Sequence, residues 1–266
     1  MNKKLIARFC GLFTAIATVI ATLLMSFGVL FSYDATSNYF ESNAILPTLA
    51  TVWMLLAFAS AVIFAIITPM EELESHSPFG SCIAIATPAT LGFCAGGILL
   101  LIDFAKSAWA PSLAAALFLF LSAAHILLSE TNRAIIFLGY VPPIACILLL
   151  LVLYFDVSTE MNAPLKVATQ CAIIPLMLYF TTELRYLLNR KIPRLYLALA
   201  LCSNAMSSLC VLAVPVASIA GLGVNVKYLA ASLTAIGLNI TIALRLKRYL
   251  QPTPSPETDT KETEAQ

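Results

Sequence analysis

Eight long apolar runs follow one another along this chain, each able to cross the hydrocarbon layer of a bilayer, and they leave it few folds to choose from. A helix needs about 20 predominantly apolar residues for that crossing. On this scale the spans fall near Leu5–Phe31, Ile45–Thr68, Ser81–Ile102, Ala108–Leu128, Ala134–Tyr154, Ala163–Arg185, Ile192–Ala217 and Val226–Leu244. The breaks read as loops. Ser32–Asn43 is polar, Pro69–Gly80 is acidic with two prolines, and Phe155–Asn162 reads FDVSTEMN. Asn189–Pro193 is basic, and Ser218–Val224 carries two glycines. Lipid satisfies no backbone amide, and continuous apolar runs of this length read as helices. The expected fold is all-α, a polytopic transmembrane bundle of about eight spans over residues 1–250.

Composition agrees. Apolar residues make up 60% of the 266 and charged residues 11%, and a water-soluble globule of this size needs more polar surface than that to cover its outside. The surplus faces lipid, so the bilayer is the first expected partner, with other membrane subunits as further ones. Net charge is +1 and no basic run could track a phosphate backbone, which sets nucleic acid aside. After Leu250 the sequence QPTPSPETDTKETEAQ (251–266) has the composition of a disordered acidic tail. Lys3, Lys4 and Arg8 resemble the leader of a signal peptide, but the apolar run is too long and no A-x-A site closes it. The first span therefore reads as a retained helix.

Orientation follows from lysine and arginine, which concentrate in cytoplasmic loops. An inside N-terminus puts Lys3, Lys4, Arg8, Arg133, Arg185, Arg190, Lys191, Arg194, Arg245, Lys247 and Arg248 on the cytoplasmic side. Only Lys106, Lys166 and Lys227 then lie outside. Both termini are expected in the cytoplasm.

Helices in lipid associate through small residues and hydroxyls. Thr14, Thr18, Thr22 and Ser26 recur every four residues on one stripe, and Gly92 with Gly96 forms a G-x-x-x-G pair; both read first as packing faces. Pro88, Pro175 and Pro215 fall within spans, as does the pair Pro142 and Pro143 near mid-membrane, where two adjacent carbonyls lose their amide partners. That pair either shapes the packing or breaks the fifth helix at a solute path.

Ionisable groups within the hydrocarbon layer cost about 2.5–3.5 kcal/mol on insertion scales, so each calls for a reason. His125 shares a stripe with Ser122 and Ser129 about one turn inside the fourth span, as a hydrogen-bonded neutral side chain or a proton relay. Asp103, beside Lys106, and Glu183, followed by Arg185, read as shallow groups that reach the interface or pair with a nearby base. Gln170, Asn204 and Asn239 place neutral amides on the last three spans, a polar seam that is either interhelical glue or the lining of a small-molecule site.

No H-E-x-x-H, G-x-S-x-G or glycine-rich phosphate loop is present. Cys10, Cys82, Cys94, Cys146, Cys171, Cys202 and Cys210 sit in or beside apolar runs without metal-ligand spacing, so no disulfide framework, metal or cofactor is expected. Thr68-Pro69-Met70-Glu71 reads as a capping box opening a short surface helix with Glu71, Glu72 and Glu74, and His76 beyond; a solvated acidic turn is the plainer reading than an ion site.

The stretches YFDVSTEMNAPLKV (Tyr154–Val167) and ELRYLLNRKIPRLYLALAL (Glu183–Leu201) resemble segments of uncharacterised polytopic membrane proteins of clostridial-type bacteria. The resemblance implies a bacterial cytoplasmic membrane and transfers no activity. Three function classes stay open: a small-solute transporter or permease-like protein, a non-catalytic membrane component such as a sensor, assembly factor or complex subunit, and an intramembrane enzyme.

Overall fold

The computed structural model describes residues 3–70, 73, 77–79, 82–131 and 136–250. Among them are eight helical stretches long and apolar enough to cross a membrane. In chain order the helices are α1 (Lys3–Ser32), α2 (Ile45–Ile67), α3 (Ile83–Ser107), α4 (Ala110–Glu130), α5 (Val141–Tyr154), α6 (Pro164–Leu187), α7 (Pro193–Ile219) and α8 (Val226–Tyr249). A 3₁₀ turn at Ile136–Tyr140 leads into α5. The protein is a multi-pass membrane protein with an all-α fold. Its one described sheet is a clasp between α1 and α2, where β1 (Tyr33–Asp34) pairs antiparallel with β2 (Tyr39–Phe40). The acidic residues Glu71, Glu72 and Glu74, with His76, Arg133 and the tail 251–266, lie outside the described residues.

Helices α3 to α8 form a closed ring in which each packs on the next and α8 returns to α3. The α1–α2 hairpin docks on this ring against α7. Both α1's start and α8's end lie at one end of the bundle, called here the terminal face; the α1–α2, α3–α4, α5–α6 and α7–α8 connections form the opposite face. Two boundaries differ usefully from the hydropathy reading. α3 runs more than a turn past Ile102, and α8 continues past Leu244 to Tyr249, carrying Arg245 inward.

Local chemistry explains where the helices stop. α6 ends in a Schellman motif: Asn189 takes a left-handed φ of 57°, its amide bonds the Tyr186 carbonyl, and the Arg190 amide bonds the Arg185 carbonyl. α7 ends the same way through Gly221 at φ 75°, with Leu222 N–H donating to the Ala217 carbonyl. Proline supplies the first turn of α4, α5, α6 and α7, where a missing amide hydrogen costs nothing.

The α3–α8 seam is tight enough to exclude side chains. A Cβ on Gly92 would lie 2.8 Å from the Leu233 carbonyl oxygen and 3.0 Å from Gly237 Cα. One on Gly237 would collide with the Pro88 carbonyl oxygen, and one on Gly96 with the Thr234 hydroxyl. The G-x-x-x-G pair is thus a helix-packing face. So is the hydroxyl stripe of α1, where Thr14 meets Ser60 of α2 at 2.7 Å and Thr22 meets Ser208 of α7 at 2.9 Å.

Helix α8 also repairs backbone broken by proline elsewhere. Pro88 disrupts the ladder of α3, and the Thr241 hydroxyl enters beside it, accepting from the Ala89 amide at 3.0 Å and reaching the Ile85 carbonyl at 3.0 Å. Pro215 leaves the Val211 carbonyl of α7 without its usual amide; the Ser232 hydroxyl lies 3.3 Å from it and 3.2 Å from the Cys210 carbonyl.

Candidate functional site

The charged residues of α8 lie at its two ends, and each end is tied into a different cluster. On the terminal face, Arg245 is sunk between the ends of α4 and α6. Its Nε donates to Glu130 Oε1 at 2.7 Å, its Nη1 pairs with Glu183 Oε1, and its Nη2 lies 3.2 Å from Ser129 Oγ. Arg245 and Glu183 are 1% exposed and Glu130 is 0% exposed, so none of the three touches water in the usual sense. Arg248, one turn on, reaches Glu130 Oε2 at 3.0 Å and also the Pro78 carbonyl. Two carboxylates and two guanidinium groups balance, which is the arrangement a low-dielectric site requires.

An aromatic wall encloses the pair. Tyr179, one turn before Glu183 on α6, donates its hydroxyl to Glu183 Oε1 and stands 3.3 Å from the Tyr196 hydroxyl of α7. Tyr249 donates to the Leu73 carbonyl at 2.9 Å, which leaves Tyr186 to donate to Tyr249 across 2.9 Å. The Tyr196 ring meets Tyr186 and Tyr249 edge-on, with centroids 5.1 and 5.4 Å apart. Phe79 covers the Arg245 guanidinium at 5.2 Å. Three polar atoms here are fully buried without a hydrogen-bond partner: Glu183 Oε2, His125 Nδ1 and Arg248 Nε.

On the opposite face, Asp156 closes the α5–α6 connection against the start of α8. It accepts from Lys227 at 3.1 Å, from the Tyr228 hydroxyl at 3.1 Å and from Ser158 at 2.8 Å. Burial pushes the Asp156 carboxyl up, but the Ser158 and Lys227 hydrogen bonds, the Lys227 charge and the Tyr228 hydroxyl outweigh it and hold the group below its ordinary 3.8. Lys227 also lies over the Trp109 ring at 4.8 Å. Lys166 is buried with its ammonium on two carbonyls of the α5–α6 connection, Asp156 at 2.7 Å and Thr159 at 3.1 Å.

The residues singled out from sequence are distributed unevenly over this architecture. Asn204 and Asn239 do meet: the Asn204 side-chain amide donates to the Asn239 carbonyl at 2.8 Å, and Ser207 contacts the Asn239 side-chain oxygen. Gln170 does not join them; its Nε2 is buried without a hydrogen-bond partner. His125 is buried at 1% exposure behind the terminal-face network, with Ser122 and Ser129 on its own helix. Pro142 and Pro143 do not interrupt a continuous fifth helix. They sit in the first turn of α5, and the 3₁₀ turn before them absorbs the missing amides. Asp103 bonds Ser112 of α4 at 2.6 Å rather than Lys106. Glu183 is buried and pairs with a base, Arg245 of α8 rather than the Arg185 beside it.

Hydropathy alone singles out neither Glu130 nor the inward reach of Arg245. Both stand where hydropathy falls, so each looks like a span boundary. Helical periodicity held the signal: Arg245 follows Leu238, Thr241 and Ile242 on the buried stripe of α8.

A separate groove of about 550 Å³ opens on the outer surface of the α3–α8 seam, lined by apolar residues including Leu91, Ala95, Ile236 and Ile240. It contains none of the polar residues above. Among the described residues no group of three or more His, Cys, Asp or Glu side chains could hold a metal ion. No protein-family model, no curated protein and no solved structure matches the chain.

Proposed function

We infer that the protein is a small-solute transporter of permease type in a bacterial cytoplasmic membrane, with both ends of the eight-span bundle on the cytoplasmic side. Basic residues of the terminal face (Arg8, Arg190, Lys191, Arg194 and Lys247) support the orientation against Lys106, Lys166 and Lys227 on the other. The resemblance to clostridial-type membrane proteins supports the compartment.

The observation that carries this reading is Arg245 buried between Glu130 and Glu183. Exchanging a buried ion pair for apolar residues of similar volume is often neutral or stabilising by about 1–4 kcal/mol, so fold stability alone gives little reason to keep it. Intramembrane charges mark pathways and switches. Here the same helix is tied ionically at both ends, by Arg245 on one face and by Lys227 to Asp156 on the other. Releasing one cluster while the other holds would open the ring alternately to each side. The Asn204–Asn239 seam lies midway along α7 and α8, where a passing solute would meet hydrogen-bonding groups.

Thiol accessibility tests this without knowledge of the solute. With the seven native cysteines replaced, Asn204→Cys should react with a membrane-impermeant thiol reagent applied to either side of a vesicle. Arg245→Gln should raise labelling from the terminal face. A folded protein in which Asn204→Cys reacts from neither side, with or without Arg245→Gln, overturns the transporter reading. That outcome favours a non-catalytic membrane component, whose one supporting observation is that Asn204, Asn239 and Ser207 already bond to one another.

A further inference from the structure

The groove on the α3–α8 seam has a length, a lining and a neighbouring charge that together describe one kind of occupant. Its floor is set by Gly92 and Gly237, where the two backbones meet too closely for side chains. Its walls are Leu91, Ala95, Ile236 and Ile240. Leu91 and Ile240 are largely exposed, so the groove faces outward from the bundle into the hydrocarbon layer. Along α3 it runs from Ala84 to Ala95. At 1.5 Å per residue that is about 16 Å, close to the roughly 15 Å depth of one leaflet. A single extended acyl chain fits that dimension; a transmembrane helix, about 10 Å across, does not fit a channel between two touching helices.

The charge lies at the end where the groove meets the terminal face. Leu233, Ile236 and Ile240 line the groove along one stripe of α8, and Lys247 continues the stripe two turns beyond Ile240. Lys247 is exposed and pairs with no carboxylate among the described residues, unlike its neighbours Arg245 and Arg248, which are committed to Glu130 and Glu183. An ammonium group just past the end of an apolar slot one leaflet deep is placed for a headgroup phosphate.

We propose that this groove is a binding site for one anionic phospholipid of the terminal-face leaflet, its acyl chain lying between α3 and α8 and its phosphate at Lys247. The site is independent of the transporter reading, because it shares no residue with the buried charges or the amide seam. It gives the apolar groove on the α3–α8 seam a defined cover, and it makes the headgroup, not the chain, the source of selectivity.

Native mass spectrometry of the delipidated full chain, titrated with phosphatidylglycerol and with phosphatidylcholine of identical chains, tests it. One lysine at a membrane surface is worth roughly a fivefold preference for the anionic headgroup. The native protein should bind the first phosphatidylglycerol about that much more tightly than phosphatidylcholine. Lys247→Gln should bring the two lipids level while leaving chain binding in place. Ala95→Phe, which fills the groove, should weaken both lipids; Thr87→Phe at the exposed rim does the same if Ala95→Phe fails to fold. Equal binding of the two lipids to the native chain overturns the proposal. So does a folded groove-filling variant that binds both as the native protein does, or a Lys247→Gln variant that keeps the preference.

Discussion

The hydroxyl of Thr241 stands 3.0 Å from the amide of Ala89, in the gap that Pro88 opens in the backbone of α3. A side chain of the last span thus completes the hydrogen bonding of the third. Removing it orphans a buried donor and acceptor, a loss of about 1–3 kcal/mol. Thr241→Val, which keeps the shape, should therefore destabilise the bundle by about 1–2 kcal/mol in denaturant unfolding from micelles. Thr181→Val makes the control. That hydroxyl only returns to the Met177 carbonyl on an exposed face, so its loss should change little.

Gly237 should tolerate substitution least of the helical glycines. Its Cβ would collide with the Pro88 carbonyl oxygen, and backbone cannot step aside as a flexible side chain does. Gly237→Ala should cost about 1–3 kcal/mol through forced separation of α3 and α8. Gly221→Ala, by contrast, meets no atom within 4 Å but must hold a φ of 75°, so its cost should stay near 1–2 kcal/mol. Unfolding free energies of the two variants decide the ranking.

The Arg245 network separates stability from function. Arg245→Met alone leaves Glu183 buried without a counter-ion and should cost about 3–5 kcal/mol. Adding Glu183→Gln removes the stranded charge and should recover most of that loss, while Glu130 keeps Arg248. The double variant should then be folded, yet fixed in its response when Asn204→Cys labelling is compared from the two sides. A double variant no more stable than Arg245→Met would show that the carboxylate was not the source of the cost.

Acid should loosen the opposite face before neutral pH changes anything there. Asp156 titrates below its ordinary 3.8 in the folded protein, so the unfolded chain binds its proton first as pH falls. Its contribution is present in full above 3.8 and is lost as pH drops through the lower folded value. Asp156→Asn should be less stable than the native chain at pH 6, and the gap should close under acid. Unfolding measured from pH 6 down to pH 3 follows it.

Much of the architecture could be read from order alone. Spans follow from runs of apolar residues, and continuous runs of about 20 suit a helix and not a barrel strand, so the eight stretches fall within a turn or so of their expected ends. Short-range spacing also carried over, since Gly92 with Gly96 and the Thr14 stripe both mark contacts. Pairing between distant helices was not legible in the same way. Glu130, Glu183 and Arg245 belong to three helices with no fixed spacing, and only the ring closure of α3 to α8 brings them together. Gln170 shows the converse: a polar residue at a plausible depth on α6 that the packing leaves apart from Asn204 and Asn239.

The guanidinium that neutralises Glu183 resides on the final span in chain order, whereas Glu183 itself enters the bilayer two spans earlier. During synthesis there is an interval in which α4 and α6 are already in place and their acids lack Arg245. Throughout that interval the growing chain must keep those carboxylates protonated, hydrated at the interface or sheltered by the insertion machinery. Among the described residues every cation paired with Glu130 or Glu183 is carried by α8, so their neutralisation by protein waits for that helix.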